Sequence, residues 1–247
     1  LSTSKGETLR ARVVVSGTGG LSRPALPDIP GLSSFAGKTF HSARWDYDYT
    51  GGDSNGNLSG LKDKVVGIIG TGATAVQCVP HLGASAKHLY VFQRTPSSID
   101  VRANRPTDPK WVETLTPGWQ KKRMDNFNIL LSGGYQSEDL VSDGWTEIIR
   151  NLILGQGAQK FIAAAGPDNK LSIDQLVELA DFEKMEQVRN RVDQVVADKA
   201  TAEALKPYYR QFCKRPCFHD EYLDTFNRPA TTFVARFVGS VNLFAGE

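Results

Sequence analysis

The sequence predicts an α/β fold, a partial Rossmann-like domain with a helical insert, and three observations carry that prediction. An apolar run at 65–69, "VVGII", ends in glycines and then turns helical, the order of a strand, a tight turn and a helix. A second apolar run, "HLYVFQ" at 88–93, stops just before Pro96, as a parallel neighbour of the first would. From Pro106 to Pro207 the apolar spacing changes to a helical period.

Composition bounds the rest. With 40% hydrophobic and 23% charged residues in 247, the chain can bury a sizeable core and does not resemble a disordered one. A net charge of +2, with bases scattered among acids, gives no nucleic-acid footprint. No apolar run approaches the roughly 20 residues of a membrane span. The start "LSTSKGETLR" has no apolar signal-peptide core, and three cysteines, an odd number, favour a reducing compartment. The expected location is the cytoplasm. The chain opens without Met and runs almost at once into a strand-like segment, so it reads as the middle of something longer.

Taken in order, "ARVVVSGTGG" predicts a buried strand at Val13–Val15 closed by glycines. Pro24, Pro27 and Pro30 make the next stretch an extended linker. "FAGKTFHSARWD", Phe35 to Asp46, spaces a His and a Trp in a way that no ordinary turn needs. Its plain structural reading is a buried aromatic with a hydrogen-bonded His anchoring a linker. The Gly/Ser/Asn-rich "TGGDSNGNLSG" is a loop before the 65–69 strand. In the helical part, Ser172 and Gln175 form a capping-box pair ahead of Leu176, Ala180, Met185, Val188, Val192 and Val195. Trp111, Trp119, Phe127, Trp145 and Phe161 are expected in the core of that insert. The last forty residues end in two short strand-like pieces. The resulting division is 1–60 junction strand, linker and 35–46 segment; 61–106 dinucleotide-binding start; 107–206 helical insert; and 207–247 return segment.

The strongest chemical signal is the turn at 70–75. Gly70, Thr71, Gly72, Ala73, Thr74 and Ala75 fit G-x-G-x-x-G/A. The first glycine permits the turn, the second lets a pyrophosphate approach the backbone, and Ala75 lets helix and strand pack closely. The free N–H groups of the helix start then face the phosphates. The match follows a strand and precedes a helix, the context that separates a fingerprint from a chance occurrence. A nicotinamide site for NAD usually places an acid after the second strand. Here that position reads Gln93, Arg94, Thr95, and Arg offers a planar fork for a phosphate, so NADP(H) is the expected cofactor. Cys213, Cys217, His219 and Asp220 lie close in sequence, but structural zinc needs a second distant pair and Cys78 is the only other cysteine. No metal is expected.

In combination these segments resemble the Baeyer–Villiger monooxygenases, a family of flavoproteins using FAD and NADPH. Phe35, Gly37, His41, Trp45 and Asp46 match the F-x-G-x-x-x-H-x-x-x-W-P/D fingerprint of the family, and "GTGGLSRP", "VFQRTPSS" and "KRP…FNRP" are similar to its other segments. The resemblance runs from about Arg10 to about Pro229. It implies oxygen insertion beside the carbonyl of a small-molecule ketone, to give an ester or lactone of secondary metabolism. It also implies that Arg215 is the catalytic arginine, whose charge stabilises a developing anion, and that Lys214 helps hold the NADP phosphate. His41 and Trp45 would support domain movement and the active site. The sequence departs from the family in having no first G-x-G-x-x-G and no acidic partner for Arg215, and in drifting after Pro229. A flavin-binding part outside this chain is therefore an implied partner, and this chain alone is expected to hold FAD poorly. The rival expectations are a non-redox descendant (isomerase, lyase or cyclase) and an inactive fragment.

Overall fold

The computed structural model describes residues 1–20, 23–152, 155–165 and 171–235. A short helix, α1 (Tyr47–Thr50), precedes the strand β1 (Val65–Ile69), the helix α2 (Ala73–Ser85) and the strand β2 (His88–Gln93). A two-residue strand, β3 (Ile99–Asp100), leads into the helices α3 (Pro109–Glu113), α4 (Trp119–Leu131), α5 (Gly144–Leu152), α6 (Gln156–Ala165), α7 (Ile173–Val195) and α8 (Lys199–Leu205). The chain returns through β4 (Cys217–Phe218) and β5 (Thr231–Ala235). The architecture is α/β with a helical insert, as expected.

Among the described residues the main sheet is three-stranded and parallel, in the order β1-β2-β5. Val65 pairs with His88 and Ile69 with Phe92; Leu89 pairs with Thr231 and Gln93 with Ala235. One sheet face is covered: Leu89 and Val91 on β2 are fully buried, as is Val79 on α2. The other carries exposed Val65, Ile69 and Tyr90. Parallel sheets are ordinarily covered on both faces, and β1 is also an edge, so this sheet presents surface of the kind that other chain normally covers.

The insert is built around α7. Its capping box forms as expected, with the Ser172 side chain accepting from Gln175 N–H at 3.2 Å and Gln175 accepting from Ser172 N–H at 2.8 Å. Leu176, Ala180, Met185, Val188 and Val192 are buried along one stripe. The core here is aliphatic: Ile148, Leu152 and Ala180 cluster, with Phe161 packed against them. The aromatics therefore correct the expectation. Trp111 is exposed, and Trp119, Phe127, Trp145 and Phe161 are only half-buried. Trp, the largest ring, is seldom fully enclosed, and the space between these helices is filled by aliphatic side chains against whose margin Phe161 packs.

The described residues fall in two compact units, 1–46 and 47–235. In the first, Leu1 and Leu9 exchange backbone bonds and 3-10 turns span Leu32–Ser34 and Ser42–Arg44. Val13–Val15 is not a strand; its side chains are 74%, 59% and 87% exposed. A strand exists only with a partner for its backbone groups, and among the described residues none pairs with this run. The second expected piece of the closing segment, beyond Ala235, lies outside the described residues.

Candidate functional site

The glycine turn is built as its sequence requires. Gly70 has φ +100°, a region costly for side chains, and its N–H donates to the Phe92 carbonyl at 2.9 Å. Gly72 is the N-cap of α2 with φ −72°, and no side chain caps this helix. Apart from its chain neighbours, a Cβ built on Gly70 or Gly72 would meet no atom of the described residues within 4 Å. The backbone N–H groups at the start of α2 thus open onto a space that a phosphate can enter. Ala75 is buried and Thr74 exposed.

Thr71 is the link between this turn and the segment after β2. Its buried hydroxyl donates to the Thr95 carbonyl at 3.0 Å, and its own carbonyl accepts from the Ser97 hydroxyl. Arg94 is exposed beside these contacts, with no hydrogen bond or ion pair among the described residues. Gln93, where an acid would stand in an NAD site, is buried and donates to the Ala204 carbonyl at 2.8 Å. It is turned to the insert and offers nothing to a ribose.

The return segment is stitched to the same region. β3 and β4 pair in parallel, with Cys217 N–H donating to Ser98 C=O and His219 N–H to Asp100 C=O, both at 2.9 Å. Arg191 of α7 clamps the pair, donating to the carbonyls of Ile99 (3.0 Å) and His219 (2.9 Å). Buried Lys184 of α7 bridges Asp100 (2.7 Å) and Glu147 (2.8 Å). Burial lowers its pKa, but the two carboxylate bonds outweigh that and raise it, so the ammonium stays charged. These anchors fix the segment that carries Lys214 and Arg215. Both are exposed, and the Lys214 ammonium lies 6.0 Å from the centre of the Tyr209 ring. Burial pushes the Cys217 thiol pKa up and the His219 pKa down, which suits neither to nucleophilic or cationic work.

The 35–46 segment holds itself together locally within the first unit. A Cβ on Gly37 would stand 2.5 Å from the Phe35 ring. His41 Nδ1 accepts from Ala43 N–H at 3.1 Å, capping the Ser42–Arg44 turn. Trp45 packs edge-on to Phe40 at 5.4 Å, and Asp46 pairs with Lys38 at 2.6 Å. Phe35 is exposed and Trp45 half-buried, so the anchor is a capped turn and not a buried aromatic. Sequence reasoning missed Tyr209 and Ser97, and weighed Asp220 only as a metal ligand and not as the acceptor for the 102–104 backbone; each acts through a partner far along the chain, and no local spacing announces that.

A strand, an open glycine turn and an uncapped helix define a Rossmann-like α/β unit, here carrying a helical insert. No family model matches the chain. Its similarity to individual proteins is extensive: it is 60% identical over 234 residues to neopentalenolactone D synthase of Streptomyces avermitilis, covering 94% of this chain and 38% of that protein. It is 58% identical over 234 residues to Baeyer–Villiger monooxygenase ATR8 of Stachybotrys chlorohalonatus, covering 94% of this chain and 36% of that one. Among solved structures, a polycyclic ketone monooxygenase from Thermothelomyces thermophila superposes with a TM-score of 0.72 at 40% identity, over 89% of this chain and 35% of that one. Cyclohexanone monooxygenase from Rhodococcus sp. Phi1 bound to NADP+ gives 0.62 at 28% identity, over 95% and 42%. The resemblance to Baeyer–Villiger monooxygenases is thus borne out along nearly the whole chain. The chain itself spans under half the length of these proteins.

Proposed function

We propose that this chain is the NADPH-binding and arginine-bearing portion of a Baeyer–Villiger monooxygenase that converts a small-molecule ketone to an ester or lactone. The observation that carries the reading is the open space at Gly70 and Gly72, tied through Thr71 to the segment of Arg94 and Thr95. That cradle fits a dinucleotide. Gly70 to Ala75 would hold the pyrophosphate against the start of α2, and Arg94, Thr95 and Lys214 would take the 2′-phosphate of NADP(H). FAD, carried by a part of the protein outside this chain, supplies the oxygen-activating chemistry when it is bound.

Arg215 serves as the fixed cation. A guanidinium keeps its charge in a desolvated site, where an ammonium can lose its proton. Preorganised donors of this kind are commonly worth about 3–4 kcal/mol in the transition state. We place residues 1–60, 61–106, 107–206 and 207–247 in the roles of junction, dinucleotide start, insert and return. His41 and Trp45 serve the junction. The three cysteines are all free, which suits the cytoplasm.

The test is ketone turnover by the whole protein with FAD and NADPH, in air and without oxygen. Product should form only in air. Arg215→Ala should lower turnover by about two orders of magnitude or more while NADP+ binding changes little, because the arginine acts on the transition state. Equal product without oxygen would overturn the assignment.

A further inference from the structure

The segment from Pro207 to Cys213 is held from three sides before it delivers Lys214. Arg189 of α7 donates to the Pro207 carbonyl at 2.9 Å. Gln211, fully buried, donates its N–H to Asp181 at 2.9 Å and its side-chain amide to Ser98 at 3.4 Å. Between them Tyr209 reaches across to the Pro96 carbonyl, to which its hydroxyl donates at 2.8 Å. Pro96 directly follows Thr95, whose carbonyl is tied to Thr71 of the glycine turn. One side chain therefore joins the return segment to the loop after β2, and the Lys214 ammonium rests over its ring, 6.0 Å from the centre.

We propose that Tyr209 is a positioning residue for recognition of the 2′-phosphate: its ring holds the Lys214 ammonium, and its hydroxyl fixes that ring to the loop of Arg94 and Thr95. This rests on the reading of the glycine turn as an NADP site and adds to it a specificity-determining residue. A free lysine on an exposed segment loses considerable rotamer freedom when it binds an anion. A ring face attracts the ammonium without neutralising it, so the cation is directed and still available to a phosphate. The phenol suits the task, since burial pushes its pKa up to about 12 and keeps it a donor to Pro96 at any working pH. Neither Tyr209 nor Pro96 needs to touch the nucleotide, so the effect should appear only in ligands that carry the 2′-phosphate.

The experiment is calorimetric titration with NADP+ and with NAD+ of the original protein and of Tyr209→Phe, Tyr209→Leu, Lys214→Ala and the Tyr209→Leu/Lys214→Ala double variant. Tyr209→Leu should weaken NADP+ by about two- to fivefold, the range of an exposed cation–ring contact, and leave NAD+ unchanged. Tyr209→Phe keeps the ring and should recover most of the loss. The double variant should bind NADP+ no more weakly than Lys214→Ala, because Tyr209 acts through that lysine. Should Tyr209→Leu prove unfolded by its melting curve, stepwise fluorination of a phenylalanine at 209 decides the matter. NADP+ affinity should then fall with each fluorine as the ring face loses its negative potential.

Equal loss for both nucleotides, no loss for either, additive losses in the double variant, or affinity indifferent to fluorination would each overturn the proposal. Arg94→Ala tells this failure from failure of the parent reading. If it abolishes the preference for NADP+ while the Tyr209 variants do not, the site stands and Tyr209 has no part in it. If Arg94→Ala changes nothing, the site itself has been misread.

Discussion

Residues 12–20, "RVVVSGTGG", and 64–72, "KVVGIIGTG", both put a β-branched run ahead of Gly-Thr-Gly, yet only the second forms a strand closed by a turn. Two differences separate them. The second is followed by "ATAVQCVPHL", which forms α2, whereas the first meets another glycine and then prolines at 24, 27 and 30. The second also has β2 to pair with over five consecutive positions. Val13–Val15 has no such neighbour among the described residues, and its side chains stay exposed. Local sequence proposes a strand; a ladder partner and a covering helix make it one.

A buried charge separates the two stretches most. Val91 in β2 is fully buried, so Val91→Asp should cost about 4 kcal/mol or more and leave the chain unfolded or close to it. Val15 is 87% exposed, and Val15→Asp should stay within about 0.5 kcal/mol. Urea denaturation followed by circular dichroism measures both. A large loss at Val15 would mean that the first stretch is paired after all.

A smaller effect separates the two glycine turns by the role proposed for the second. Gly72 has an ordinary φ of −72° and open space around a Cβ, and a Cβ on Gly17 likewise meets nothing. Neither valine substitution should change the melting temperature by more than about 2 °C. Gly72→Val should still weaken NADP+ by about tenfold or more, equivalent to about 1.4 kcal/mol, by filling the space that the pyrophosphate needs. Gly17→Val should leave binding alone. Full NADP+ affinity in Gly72→Val would reduce the second turn to a structural one.

These contrasts show where the sequence was readable. Strand, turn and α2 lie within about twenty residues of one another, and each step has a steric reason, so β1, Gly70, Gly72 and α2 could be anticipated. So could the capping box of α7, because its two partners lie on one helical turn. Val13–Val15 misled because pairing is a property of two segments. The insert aromatics misled because hydrophobicity does not say which face of a helix other helices will cover; Trp111 packs at the surface against Trp119 and Arg123 while aliphatics fill the core. Tyr209 was invisible because its meaning lies in a hydrogen bond to Pro96, 113 residues away.

The smallest expected effect contrasts two sets of backbone donors. At the start of α2 no side chain fills the N–H groups, whereas the N–H groups of Arg102, Ala103 and Asn104 all donate to the Asp220 carboxylate, at 2.9, 3.0 and 3.1 Å. Ala103 accepts a φ of +52° in that arrangement. Burial raises the Asp220 pKa, but the three donors and the Arg191 charge more than offset it, so the carboxyl titrates below its usual range. A carboxylate depressed in the folded state stabilises fully above the unfolded value, and that contribution fades as pH falls through the folded one. Asp220→Asn should therefore lower the urea midpoint at pH 7, and the gap to the original protein should narrow from about pH 4 downward. An amide keeps one acceptor oxygen, enough for Arg102 and Ala103 N–H, but sets an NH2 donor against Asn104 N–H, so the pH-dependent part of the gap reports the charge and the constant part reports the lost acceptor. A gap that stays constant from pH 7 to pH 3 would mean that Asp220 acts by shape alone. The two sets of donors would then differ in occupancy but not in their appetite for negative charge, which would weaken the case for a phosphate at the start of α2.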